Sequence, residues 1–272
     1  MIPIEQWLVT AAYAVALARY IHDFRSAKEA NNARSSQFAS IGVGLHLAYL
    51  THLTFVLGHM PVTSVFEALT TCAWFFGIVY LSLEWWLKER SLGMFILPII
   101  LILHIVSSIY IDLSRELPSL LVEEVVFEVH VFVLMLSYSA FAISFIASLL
   151  YLILSHEIQK KNPGLFYRRL PSLAFFDSLS NRAVNIGLLF LTLGVALGIY
   201  EGAKIADQFF KWDAKFIAVG LTWLIYVLHL LGRFAIGWQG KRAAVVSVLG
   251  FGWLLFSFLI VSLTLSKVHH FR

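Results

Sequence analysis

A chain of 272 residues with 60% hydrophobic and 13% charged content, and a mean hydropathy of +0.82, has too little polar surface to cover a soluble core, so a water-soluble globular domain is excluded. The net charge of +4 is too small, and too dispersed among loops, to be a nucleic-acid footprint. The single cysteine, Cys72, excludes an internal disulfide, a CxxC redox pair and a covalent CxxCH haem attachment.

Eight apolar runs approach the length of about 20 residues that a membrane span needs. In chain order they cover 3–21, 38–59, 65–86, 92–110, 129–154, 183–201, 215–233 and 244–266. They lack the roughly ten-residue alternation of barrel strands. The expected fold is all-α: one polytopic domain over 1–272, a bundle of eight transmembrane helices joined by short connections. The first run lacks a positive n-region and reads as a span, not a cleaved signal. Basic residues then set the orientation. Arg25, Lys28 and Arg34 follow the first run, Lys88 and Arg90 the third, Lys160, Lys161, Arg168, Arg169 and Arg182 the fifth, and Arg233, Lys241 and Arg242 the seventh. The second connection is uncharged and the fourth is acidic, with Asp112, Glu116, Glu123, Glu124 and Glu128. This alternation predicts cytosolic basic loops and two extracytoplasmic termini in a multi-pass protein of the cell's inner (cytoplasmic) membrane.

Histidine placement carries the functional signal. His46, His52, His104 and His229 fall within apolar runs, and His59, His130 and His269 near their ends. An ionisable group in hydrocarbon is costly and marks a function by default. Imidazole is uncharged when deprotonated and is the commonest metal ligand. His59, His130, the stretch Trp212-Asp213-Ala214-Lys215 and His269-His270 are expected on the outer side, with His46 and His229 deeper. Two layers of histidine suit two haem groups, each with an imidazole on either face of the ring. The plainer reading assigns His52 and His104 to hydrogen-bonded packing and leaves His22 and His156 solvated. Glu67, just inside the outer boundary, requires a partner or a water-filled cleft.

Several stretches resemble one known family. Gly58-His59-Met60-Pro61-Val62-Thr63-Ser64-Val65-Phe66-Glu67-Ala68-Leu69, His130-Val131, Leu191-Thr192-Leu193-Gly194 with Gly198, Trp212-Asp213-Ala214-Lys215, Leu221-Thr222-Trp223-Leu224-Ile225-Tyr226 with His229, and Val268-His269-His270-Phe271 are similar to segments of the CcsA/HemX branch of the cytochrome c assembly family. The resemblance implies a non-covalent b-type haem carrier. His130 and His269 would bind an outer haem from opposite faces. His229 would bind an inner one, with His46 as the expected partner and His52 as the second choice. Trp212, Asp213 and Phe210 would line the outer site. One departure stands out: of the four tryptophans of the family's external segment only Trp212 remains. The resemblance thus implies haem transport or presentation in cytochrome c maturation, at most as part of a haem lyase complex. The alternatives are a HemX-like membrane regulator of haem biosynthesis, a haem-free secondary transporter, and a proton- or electron-conducting subunit. The implied partners are the bilayer, other assembly subunits or a haem-biosynthesis enzyme.

Overall fold

The computed structural model describes residues 2–26, 33–113, 125–160, 164–205 and 214–257. Among them every regular element is helical. In order these are α1 (Ile2–Arg25), α2 (Ala33–Leu57), α3 (Val65–Leu87), α4 (Gly93–Tyr110), α5 (Val125–Gln159), α6 (Leu165–Arg169), α7 (Leu173–Ile205), α8 (Ala214–Ala235) and α9 (Lys241–Phe256). Six of them, α2, α3, α4, α5, α7 and α8, are long and apolar enough to cross a membrane. The chain is thus an all-helical, multi-pass membrane protein. The other two expected spans are not among these six: helix α1 carries Glu5, Arg19, Asp23 and Arg25, and the expected run 244–266 continues beyond Ser257, where the described residues end.

Helix ends follow local chemistry. Ser64 caps α3: its hydroxyl accepts from the Glu67 amide while the Glu67 carboxylate turns back onto the cap, a capping box. Lys88 ends the helix in the left-handed region at φ 54°. Helix α5, at 35 residues, is roughly 50 Å long and exceeds the hydrocarbon thickness. Helix α7 starts at Leu173, ten residues before the expected 183. The intervening polar residues look like a loop in sequence, yet Asp177 and Ser180 are held by partners on other helices.

The chain forms two compact units, one ending at Glu128 and one beginning at Val129. In the N-terminal unit α1 packs on α2 and α4, and α3 on α2 and α4. Gln6, Tyr13 and Tyr20, spaced by seven, form one buried stripe of α1. In the C-terminal unit α7, α8 and α9 pack mutually. The Ser137 hydroxyl on α5 donates to the Gly187 carbonyl on α7 at 2.7 Å. Phe141, Val184, Leu191, Tyr226 and Leu254 form the core there, with the Phe141 and Tyr226 rings stacked at 3.6 Å.

Candidate functional site

The apolar interior of the N-terminal unit holds several buried polar groups that bond to one another. His46 Nδ1 meets the Tyr13 hydroxyl at 3.2 Å and its Nε2 meets Thr70 Oγ1 at 2.9 Å. Thr70 Oγ1 also meets His104 Nδ1 at 2.9 Å, and His104 Nε2 meets the Gln6 carbonyl at 3.1 Å. All the histidine and threonine side chains here are fully buried. A carbonyl only accepts, so the network assigns the His104 proton to Nε2 and makes its Nδ1 an acceptor. Thr70 has one proton and gives it to His104; it therefore accepts from His46 Nε2, and His46 Nδ1 accepts from Tyr13. One direction runs through the whole chain of neutral groups. His46 thus sits as a hydrogen-bonded residue with both nitrogens engaged. His104, expected to be packing, is its near neighbour, with ring centroids 4.7 Å apart. His52 points elsewhere, to the Glu5 carboxylate at 2.8 Å.

A second polar cluster joins Glu84 to the Tyr20 hydroxyl at 2.6 Å and to the hydroxyls of Tyr80 and Ser36. Arg90 Nε donates to Ser36 Oγ at 2.9 Å. Nothing in the sequence marks this group, because its members come from separate stretches of the chain and only the fold unites them. The stripe of Gln6, Tyr13 and Tyr20 was the one available signal.

The turn between α2 and α3 is built around Glu67. Its Oε2 accepts from the Thr63 amide at 3.0 Å and the Thr63 hydroxyl at 2.8 Å, and its Oε1 from the Ser64 hydroxyl at 2.8 Å. The partner expected for this buried carboxylate is therefore its own turn. Gly58 enters the turn at φ 74°, a conformation glycine adopts without strain. His59 Nδ1 donates to the Met60 carbonyl at 2.8 Å, and the Met60 amide donates to Glu128 at 2.9 Å.

In the C-terminal unit, His130 lies in the first turns of α5. Its Nδ1 is 2.6 Å from the Gly194 carbonyl on α7, so Nδ1 carries the proton and Nε2 the lone pair. Gly198, one turn on, passes directly beside the ring. Metal-binding histidines commonly show this arrangement, with one nitrogen donating to a carbonyl and the other carrying the ligating lone pair.

His229, on α8, is fully buried. Its Nε2 meets Ser247 Oγ at 3.3 Å, and Ser247 belongs to a hydroxyl cluster with Ser144, Ser148 and Ser180. Its Nδ1 is buried without a partner of hydrogen-bond geometry among the described residues, although the Ala243 backbone acts on the ring. One turn beyond, Arg233 forms a two-pronged pair with Asp177 at 2.9 and 2.8 Å, and Asp177 also accepts from the Gly240 amide at 2.9 Å. His130 and His229 thus fit a haem ligand set: the first by its fixed tautomer, the second by its buried, incompletely bonded ring. His269, Trp212, Asp213 and Phe210 lie outside the described residues. His46 lies in the N-terminal unit and His229 in the C-terminal one.

Comparison with known proteins agrees with the resemblance read from the sequence. The family described as "Cytochrome C assembly protein" matches residues 62–269. The "Cytochrome c biogenesis protein CcsA" of Chlamydomonas reinhardtii is 29% identical over 220 residues, covering 79% of this chain and 61% of that protein, so the chain spans under two thirds of that relative. The protein of the same name from Mesostigma viride is 24% identical over 299 residues, covering 100% of this chain and 98% of its own. That from Chlorella vulgaris is 27% identical over 245 residues, covering 79% and 78%. With most of its length matched, the chain belongs to the cytochrome c assembly family that includes the CcsA proteins.

Proposed function

We propose that this protein binds non-covalent b-type haem in its C-terminal unit and presents it for cytochrome c maturation. His130 and His269 are the axial pair of an outer haem, with Trp212, Asp213 and Phe210 beside it. His229 is the protein's ligand to an inner haem. His46 is left out of this assignment, since using either of its nitrogens costs the Tyr13 or the Thr70 hydrogen bond. The second axial bond at His229 then comes from another assembly subunit. When bound, the haem supplies the iron and the reactive vinyl groups; the chain binds, orients and shields. Eight spans, both termini extracytoplasmic and residence in the cell's inner membrane complete the reading.

The observation that carries it is the His130–Gly194 hydrogen bond, which puts the proton of the neutral ring on Nδ1 and the lone pair a metal would take on Nε2, in a chain of the cytochrome c assembly family. The test is the absorption spectrum of the purified full chain and of its His130→Ala and His229→Ala variants. A low-spin haem spectrum is expected, lowered in content or altered by each substitution. A haem-free protein after expression with ample haem, or two variants identical to the parent, overturns the reading.

The reduced tryptophan content of 198–216 favours a second reading, a HemX-like regulator of haem biosynthesis using the same sites. Complementation separates the two. Restored cytochrome c in a strain lacking its haem-ligation protein supports presentation, and altered haem-precursor levels without cytochrome c supports regulation.

A further inference from the structure

We propose that Gly194 and Gly198 are positioning residues for His130: together they fix its tautomer and ring plane so that Nε2, and not Nδ1, faces the metal. The proposal rests on the haem reading of His130. Three pairs of close neighbours join α5 and α7. A methyl group at Gly198 would lie 2.5 Å from His130 Cε1, one at Gly194 2.5 Å from Leu134 Cδ2, and one at Gly187 2.6 Å from Phe141 Cε1. The steps of four and seven run upward on α5 and downward on α7, so the helices are antiparallel and in constant register. This is the close approach that small residues allow between membrane helices.

At the His130 end the close approach does more than pack. The Gly194 carbonyl points along α7 toward residue 198, where no side chain covers it, and so a second donor reaches it from the side. His130 Nδ1 is that donor, at 2.6 Å. A methyl at 198 would also stand 3.0 Å from Nδ1 and 3.3 Å from Nε2. The imidazole is rigid, so it must swing away and release the carbonyl. The released ring is free to take either tautomer. The donation to a carbonyl also raises the basicity of the opposite nitrogen and holds the ring plane. Gly187 serves as the internal comparison: it has the same packing role on the same helix face, but touches Phe141 and no histidine.

The experiment has two readouts on the full-length protein in detergent micelles. In protein prepared without haem and labelled with ¹⁵N-histidine, long-range ¹H–¹⁵N correlation reads the tautomer of His130, assigned through His130→Ala. The Nδ1–H form is expected, and an Nε2–H form overturns the proposal without any further variant being needed. With haem present, Gly198→Ala is expected to lower haem affinity about 10–100-fold and shift the low-spin bands, while Gly187→Ala leaves both unchanged. Equal changes in the two glycine variants mean helix packing alone and overturn the proposal. Loss of haem in His130→Ala with a normal spectrum in Gly198→Ala also overturns it and leaves the haem reading standing. Unchanged haem in His130→Ala overturns the haem reading, and this proposal falls with it.

Discussion

His46 Nε2 and His104 Nδ1 reach the same oxygen, Thr70 Oγ1, each at 2.9 Å. A single hydroxyl on α3 thus links α2 to α4, and through Tyr13 and Gln6 it fastens both to α1. Replacing Thr70 by Val keeps the shape and removes the one group able to donate to His104 and accept from His46. Two buried ring nitrogens then lose their partners. The expected cost is about 1–3 kcal/mol, modest because interhelical hydrogen bonds in membranes are individually weak. Thr70→Ser keeps the hydroxyl and is expected within about 0.5 kcal/mol of the parent. Thermal unfolding of the two variants in one detergent checks the difference, and equal melting points would remove the network's structural role.

Glu67 organises the turn before α3 rather than opening a cleft. Glu67→Ala deprives the Thr63 amide and two hydroxyls of their acceptor and breaks the capping box. A lost cap costs about 0.5–2 kcal/mol and a stranded buried donor about 1–3. Hydrogen exchange across 58–68 is expected to quicken selectively, with α4 and the C-terminal unit unchanged. Exchange that stays slow at Thr63 and Ser64 would mean the carboxylate is dispensable.

The spans were legible in sequence because apolar length is a local property, and the described helices follow the apolar runs from α2 to α5 within a few residues. The start of α7 was not. Asp177, Ser178, Ser180, Asn181 and Arg182 look like a connection until the fold supplies Arg233 for Asp177 and two more serines for Ser180. The resemblance selected His130, and residue spacing placed His46 and His52 on different faces of α2, as the structure has them. What spacing withheld was satisfaction: nothing local shows that Tyr13 and Thr70 occupy both nitrogens of His46, because they come from α1 and α3. The carbonyl that orients His130 was equally hidden, since a backbone acceptor leaves no mark on residue identity.

Arg233 and Asp177 tie α8 to α7, and the Gly240 amide adds the turn before α9. Both side chains are mostly buried, at 13% and 18% exposure. Asp177→Ala leaves the guanidinium without its counter-charge and the Gly240 amide without its acceptor, an expected loss of about 2–4 kcal/mol. Arg233→Lys keeps the charge but not the planar fork and is expected to lose about half of that. Detergent-solubilised thermal aggregation of the pair gives the order. A variant order with Lys worse than the Asp177 deletion would contradict the two-pronged geometry as the source.

Ser247 offers a test of His229 with opposite signs for two roles. Its hydroxyl meets His229 Nε2 at 3.3 Å, a long contact, and also reaches Ser144 and Ser180 at 3.3 and 3.4 Å. Ser144, Ser148 and Ser180 keep their shorter 2.9 Å contacts without it. Ser247→Ala is therefore expected to cost less than about 1 kcal/mol. If His229 is a haem ligand through Nε2, the serine competes with the iron for that nitrogen. Removing it then leaves haem content the same or higher, whereas His229→Ala lowers it. If His229 only packs, Ser247→Ala strands a buried ring nitrogen and weakens the protein while haem content follows neither substitution. Haem per protein, by the pyridine haemochrome absorbance, together with the melting temperature of the same samples, distinguishes the two. The ligand role is expected, with haem retained in Ser247→Ala and diminished in His229→Ala.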